Sequence, residues 1–123
     1  MEEQEIEEMK ANCDNKEYVM KKLKEVPWMI CYVSERLLAD KEVVLENVKE
    51  YGQGLYYASE DLRDDEEVVK TAITNKGLIF KYASFRLRSN KELAEIAIKQ
   101  DKRAFKFIAQ ELKQDEDLKN LLN

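Results

Sequence analysis

The chain has 123 residues, of which 44% are apolar and 38% are charged, and its formal net charge is −5. A chain of this length can bury roughly two thirds of its unfolded surface, so a single autonomous domain is feasible. No apolar run approaches the roughly 18 residues of a membrane span, and the absence of histidine excludes Ser-His and Cys-His catalytic pairs and histidine-ligated metals.

Residues 1–14 form the first predicted element, an acidic N-terminal cap helix. Ile6, Met9 and Cys13 approximate an apolar helical stripe along it. The first five residues carry three glutamates and have neither the basic nor the apolar region of a signal peptide. We therefore expect a cytoplasmic protein.

From residue 15 the chain repeats with a period of 25 residues. The first position of every copy is Asn or Asp, which suits a helix N-cap. The four full copies and the truncated fifth copy are residues 15–39, 40–64, 65–89, 90–114 and 115–123. A fixed period of this size is typical of a solenoid, whose units cannot bury their apolar faces alone. We predict one all-α solenoid domain over residues 1–123, in which the half-repeat 115–123 is the C-terminal cap.

Repeat 40–64 indicates two helices. The first begins after Asp40 and carries an apolar stripe of three valines, Val43, Val44 and Val48. Gly52 marks a helix-to-helix junction, and Pro27 and Gly77 occupy the same position in the neighbouring copies. A second helix carries its apolar and small residues at helical spacing: Leu55, Ala58, Ser59 and Leu62. Each helix should have about ten residues, so the chain should contain about ten helices.

The same repeat carries a family resemblance. It begins Asp-Lys-Glu-Val-Val-Leu and continues Gly-x-x-Leu-x-Tyr-Ala-Ser-x-x-Leu-Arg-x-Asp. This pattern resembles the repeat of the domain of unknown function 4116, and the resemblance covers residues 15–114. It implies tandem helical repeats, and it implies no assigned activity, catalytic residue or ligand.

Four features of the sequence are candidates for chemistry, and two of them recur between repeats. An aromatic ladder recurs once per repeat, as Tyr32, Tyr57, Tyr82 and Phe107. The ladder could hold a ligand, but packing between repeats with hydroxyl groups at the rim is the simpler interpretation. The recurring Ser34, Ser59 and Ser84 have no candidate base, and the acidic run 64–67 lacks the turn of a calcium loop. Cys13 and Cys31 have no metal-ligand or redox spacing, and we expect free thiols. We therefore predict no catalytic residue, no cofactor, no metal site and no enzyme activity.

One stripe of the second helices differs from an ordinary solvated face. It varies between copies, and it carries large apolar groups and arginine, the residue types enriched where binding energy concentrates. The candidate partner-binding residues are Trp28, Tyr56, Leu78, Phe85, Arg63 and Arg88. The alternative is that the N-terminal cap covers Trp28 and that Phe85 fills a local gap.

Charge is divided unevenly along the chain. Residues 1–70 hold 10 basic and 19 acidic side chains, a net of −9, whereas residues 71–123 hold 11 basic and 7 acidic ones, a net of +4. This asymmetry favours a partner with acidic character toward the C-terminal half, and weak head-to-tail self-association at low ionic strength. The positive field is small for a nucleic-acid binder. We therefore predict a protein- or peptide-interaction module that does not act on membranes. The alternatives are a structural spacer or a fragment of a longer repeat array, and a nucleic-acid-binding module or an enzyme is less favoured.

Overall fold

The computed structural model describes residues 2–123, which form nine α-helices and five 3₁₀ helices and contain no strand. Each repeat opens with a ten-residue α-helix, called here its long helix: Lys16–Glu25, Lys41–Glu50, Glu66–Asn75 and Lys91–Gln100. An N-terminal helix, Glu2–Ala11, precedes the first repeat, and a short helix, Glu116–Asn120, follows the fourth. The predicted all-α repeat fold is confirmed. Met1, the first residue of the predicted cap, lies outside the described residues.

The long helices begin where their first side chain caps the backbone. The Asn15 side chain accepts a hydrogen bond from the Tyr18 N–H at 3.0 Å, and the Asp65 side chain accepts one from the Val68 N–H at 3.1 Å. Asp40 accepts from two backbone N–H groups of its helix. Each cap satisfies N–H groups that have no partner within the helix. The repeated Asn or Asp therefore sets the start of every long helix.

The second helix of each predicted pair is divided into two pieces. A six-residue 3₁₀ segment comes first: Pro27–Tyr32, Gly52–Tyr57, Gly77–Tyr82 and Lys102–Phe107. A four-residue α-helix follows in the first three repeats: Glu35–Leu38, Glu60–Arg63 and Phe85–Arg88. Between them the chain is extended, as at Ala58 with φ −66° and ψ 155°. The sequence predicted one continuous second helix over these residues. That prediction is wrong, because the structure has two separate pieces.

The recurring serine explains the division. Ser59 Oγ accepts the N–H of Leu62 at 3.3 Å, so the serine is the N-cap of a new helix and not an interior residue of an old one. Ala109 stands at this position in the fourth repeat and offers no such acceptor. There the following segment, Gln110–Gln114, is a 3₁₀ helix instead. An α-helix therefore follows where this position is serine, and a 3₁₀ helix follows where it is alanine.

Successive repeats are joined by backbone hydrogen bonds at the division point. The N–H of Ser34 donates to the Cys13 carbonyl at 3.0 Å, and the N–H of Ser59 donates to the Leu38 carbonyl at 3.0 Å. The same bond recurs at Ser84 and at Ala109. Because it recurs at every joint, it ties the division point of each repeat to the end of the unit before it, which in the last three cases is a short helix.

Glycine at the junction permits a close approach between repeats. Gly52 donates its N–H to Asn75 Oδ1 at 2.7 Å, and a Cβ added at Gly52 would lie 2.7 Å from the carbonyl oxygen of Ala72. No glycine of the chain has positive φ. The junction glycine is therefore needed for contact with the next long helix, and not for a left-handed turn.

The apolar core has two parts. One cluster holds the cap and first-repeat residues together with Val43, and the other extends from Val44 through the remaining repeats to Leu118. The boundary runs along the second long helix, between Val43 and Val44. At the joint between the first and second long helices, Pro27 and Asn47 stand at the positions that Gly52 and Ala72 occupy one repeat later. This bulkier pair keeps the two long helices from closing as tightly as Gly52 allows at the next joint.

Candidate functional site

Three of the predicted contact residues expose large apolar surfaces. Trp28 is 37% exposed, Tyr56 is 50% exposed and Phe85 is 69% exposed. Trp28 and Tyr56 lie on 3₁₀ segments, and Phe85 is the first residue of its short helix. The N-terminal helix leaves more than a third of Trp28 uncovered, and Phe85 fills no interior gap.

The other three predicted residues are half-buried, and the structure gives both arginines a structural contact. Arg63 Nε donates to the Ala58 carbonyl at 3.2 Å, and Arg88 Nη1 donates to the Phe107 carbonyl at 3.4 Å. Both acceptor carbonyls lie at the C-terminal end of a 3₁₀ segment. Leu78 is half-buried on its own 3₁₀ segment. Arg63 and Arg88 therefore hold backbone carbonyls, and these three residues extend the exposed surface less than the rings do.

The predicted stripe consists of separate contacts. Trp28 packs edge-on against Tyr32 with ring centroids 6.3 Å apart, and the Arg88 guanidinium lies 5.8 Å from the Phe85 ring. Tyr56 packs edge-on against Tyr82 with centroids 4.8 Å apart. Within residues 2–123 no aromatic pair joins Trp28 to Tyr56 or Tyr56 to Phe85. The stripe is therefore a series of patches along the repeats.

The aromatic ladder of Tyr32, Tyr57, Tyr82 and Phe107 also forms part of this surface. The sequence analysis did not assign that role to the ladder. All four rings are half-exposed, so they pack between repeats while leaving one edge in solvent. The residue before each ring covers the ladder from outside. Tyr56 lies between Tyr57 and Tyr82, and Lys81 lies 5.1 Å from the Tyr82 ring and 5.6 Å from the Phe107 ring. The sequence did carry a signal for these contacts, because Tyr56, Lys81 and Lys106 each directly precede a ring of the ladder.

Cys31 occupies the corresponding position in the first repeat. Desolvation by neighbouring groups raises the pKa of the exposed Cys31 thiol above its ordinary value, which disfavours the thiolate. Nucleophilic cysteines require the thiolate. Cys31 and the half-buried Cys13 are both free thiols, as expected.

A groove of about 530 Å³ opens between the first and second long helices. Met20, Leu23, Pro27 and Val43 supply its apolar lining, and Asn47 donates an amide hydrogen bond to the Pro27 carbonyl at 3.1 Å. The charged residues at the groove are Lys24, Glu46, Lys49 and Glu50. Glu46 and Lys49 form an ion pair of 2.7 Å, and hydrogen bonding to this lysine lowers the pKa of Glu46. The groove is the space left by the bulkier Pro27 and Asn47 pair.

Neither a metal site nor a membrane span emerges from the described chain. Over residues 2–123 no three side chains of His, Cys, Asp or Glu come together as metal ligands would. None of the helices in that range has both the length and the apolar character needed to cross a membrane.

A hydrogen-bonded bracket, defined here as an aspartate that accepts hydrogen bonds from a serine and an arginine of the next repeat, occurs at every second joint. Asp64 Oδ1 accepts from Ser84 Oγ and from Arg86 Nε, the latter at 2.9 Å, and these bonds hold the pKa of Asp64 below its ordinary value. Asp14, Ser34 and Arg36 form the same bracket 50 residues earlier. At the intervening joint Ala39 and Asp61 replace the outer two residues. The structural repeat of 25 residues is thus nested in a unit of about 50.

Comparison with known families identifies this double unit. The model described as "Domain of unknown function (DUF4116)" matches residues 15–63 and again residues 65–113. Each match spans two of the structural repeats. No curated protein and no solved structure matches the chain.

Proposed function

The chain belongs to the DUF4116 family, and we propose that it is a non-catalytic scaffold that binds a protein or peptide partner through its 3₁₀ segments and short helices. The observation that carries the proposal is the exposure of Phe85 (69%) and Tyr56 (50%) on a frame whose core positions, such as Leu55, Phe80 and Leu87, are buried. Apolar side chains left in water at such positions are typical of contact sites.

The residue types support contact with a partner. Trp, Tyr and Arg are enriched where truncation costs the most binding energy. Trp28, Tyr56 and Phe85 supply rigid rings. Arg63 hydrogen-bonds the Ala58 carbonyl, which follows the segment that carries Tyr56, and the Arg88 guanidinium lies over the Phe85 ring. A purely structural spacer, the competing proposal, gives no reason for three exposed rings at positions that vary between repeats.

Replacing Trp28, Tyr56 and Phe85 together with serine should abolish peptide binding. The test is selection of a random 12-residue peptide display library on the immobilised chain, followed by affinity measurement of the enriched peptides. A matched control replaces three exposed long-helix residues, Lys21, Thr74 and Lys99, with serine.

The wild-type chain and the control should bind enriched peptides with equal affinity, and the ring variant should lose at least about tenfold, as for removal of contact residues worth more than 1 kcal/mol. Equal affinity of all three proteins would contradict the proposed surface. A library that yields no enriched peptide on the wild-type chain would favour the structural spacer.

A further inference from the structure

The C-terminal part of the ladder holds two lysines over a single ring. The Nζ atom of Lys81 lies 5.6 Å from the Phe107 centroid, and the Nζ atom of Lys106 lies 5.3 Å from it. Both lysines are exposed, and within residues 2–123 neither forms an ion pair with a carboxylate. Each ammonium group lies over one or two aromatic rings instead, as in a cation–π interaction.

Three lysines at the starts of long helices pair with carboxylates instead. Lys41 binds Asp65 and Glu67 of the next repeat, each at 3.0 Å. Lys16 and Lys91 each bind two carboxylates at the equivalent place. Lys81 and Lys106 differ from these lysines because both lie over one aromatic ring, Phe107, and neither is paired with a carboxylate of the described frame.

The charge of the surrounding face changes along the chain. The outward positions of the first two 3₁₀ segments are Trp28, Cys31, Gln53 and Tyr56, none of which is an acidic or basic residue. The same positions in the last two segments are Leu78, Lys81, Arg103 and Lys106, three cations without a carboxylate. Arg103 is paired with Asp101 at 2.8 Å, which leaves the two lysines unpaired. These outward positions are therefore uncharged in the first two segments and mostly cationic in the last two.

The distance between the two ammonium groups limits the spacing of the acidic groups that a ligand can present to them. Because both ammonium groups lie within 5.6 Å of one centroid, they are at most about 11 Å apart. In an extended peptide, side chains at i and i+2 project from the same side about 7 Å apart, which fits within that limit. The Tyr82 ring adjoins Lys81, and Tyr56 packs against Tyr82, so apolar side chains of the same peptide would meet these rings next.

We propose that this face binds an extended acidic peptide segment. Two carboxylates at i and i+2 pair with Lys81 and Lys106, and neighbouring apolar side chains pack on Tyr82 and Tyr56. This inference rests on the proposed function and specifies its ligand. A peptide suits the face better than a nucleic acid does, because two unpaired lysines on a chain of net charge −5 supply little of the phosphate neutralisation on which nucleic-acid affinity depends.

The test compares three proteins in the same peptide selection: wild type, the Lys81→Gln/Lys106→Gln variant, and a control with Lys21→Gln/Lys24→Gln. Both variants lose two positive charges, but the control lysines are exposed on the first long helix. Peptides enriched on the wild type and on the control should contain Asp or Glu pairs at i and i+2 several times more often than the library. Binding of those peptides to the Lys81→Gln/Lys106→Gln variant should weaken about three- to tenfold at 50 mM salt, as for two partly exposed ion pairs.

The outcomes separate this inference from the proposed function. Enriched peptides that require Trp28, Tyr56 and Phe85 but contain no acidic pairs would overturn the acidic ligand and leave the scaffold proposal standing. Competition by a 12-nucleotide poly-uridine RNA that is lost in the Lys81→Gln/Lys106→Gln variant, at concentrations where an acidic peptide does not compete, would overturn it in favour of nucleic acid. Failure of every peptide to bind the wild type would overturn both.

Discussion

Replacing Gly52 with alanine is expected to lower the free energy of unfolding by about 3 kcal/mol, at the upper end of the usual cost of overpacking. The added Cβ would lie 2.7 Å from the backbone oxygen of Ala72, closer than real Cβ contacts come. Since that oxygen belongs to a helix backbone, relief requires the joint between the second and third repeats to open. The hydrogen bond from Gly52 N–H to Asn75 Oδ1 would lengthen at the same time. Chemical denaturation monitored by circular dichroism measures the loss.

Lys102 provides the matched control, because it occupies the same repeat position and is exposed. Lys102→Ala should change the free energy of unfolding by less than about 0.5 kcal/mol, as for ordinary surface substitutions. Equal stability of the Gly52→Ala variant and the wild type would show that the repeats do not stack as closely as described.

Truncation should destabilise the fold far more at Phe80 than at Phe85, although the two residues are only five positions apart. Phe80 is fully buried in the larger core cluster, and Phe85 is 69% exposed. Phe80→Ala should cost about 3–5 kcal/mol, the range for large-to-small core substitutions. Phe85→Ala should cost less than about 0.5 kcal/mol.

Both values come from denaturant titrations of the single variants. A destabilisation of more than about 2 kcal/mol for Phe85→Ala would place its ring in the core and remove the main support for the contact surface. Similar small losses for both variants would contradict the assignment of Phe80 to the core.

The period and the helix starts could be predicted from sequence because they depend on local chemistry. Asp40 and Asp65 cap the long helices that their positions indicated, and the valines after Asp40 are buried as the helical spacing required. These features depend on residues within one turn of each other.

The second half of the repeat was harder to predict because two structures fit its spacing. Leu55, Ala58 and Leu62 suit a continuous α-helix, and Ser59 was interpreted as an interior small residue. The structure uses the Ser59 hydroxyl as an N-cap, and the cross-repeat hydrogen bond from the Ser59 N–H to the Leu38 carbonyl holds the extended residue before it. That second partner is 21 positions away in sequence, so no local pattern reveals it.

The candidate site was partly accessible to sequence reasoning. Variation at positions 28, 56 and 85 identified rings that the structure leaves exposed. Burial of Arg63 and Arg88 against carbonyl oxygens could not be predicted, because the acceptors belong to the 3₁₀ geometry that the sequence did not indicate. The position of Lys81 over two rings depends on the same geometry.

Amide hydrogen exchange of the chain with and without a selected peptide tests most directly where the molecule binds. If the exposed rings and the ladder form the contact surface, the peptide will slow exchange in the segments Gly52–Tyr57 and Gly77–Tyr82 and leave the long helices unchanged. Protection confined to the helices Lys16–Glu25 and Lys41–Glu50, which border the groove, would contradict this and assign binding to the opposite elements of the repeat.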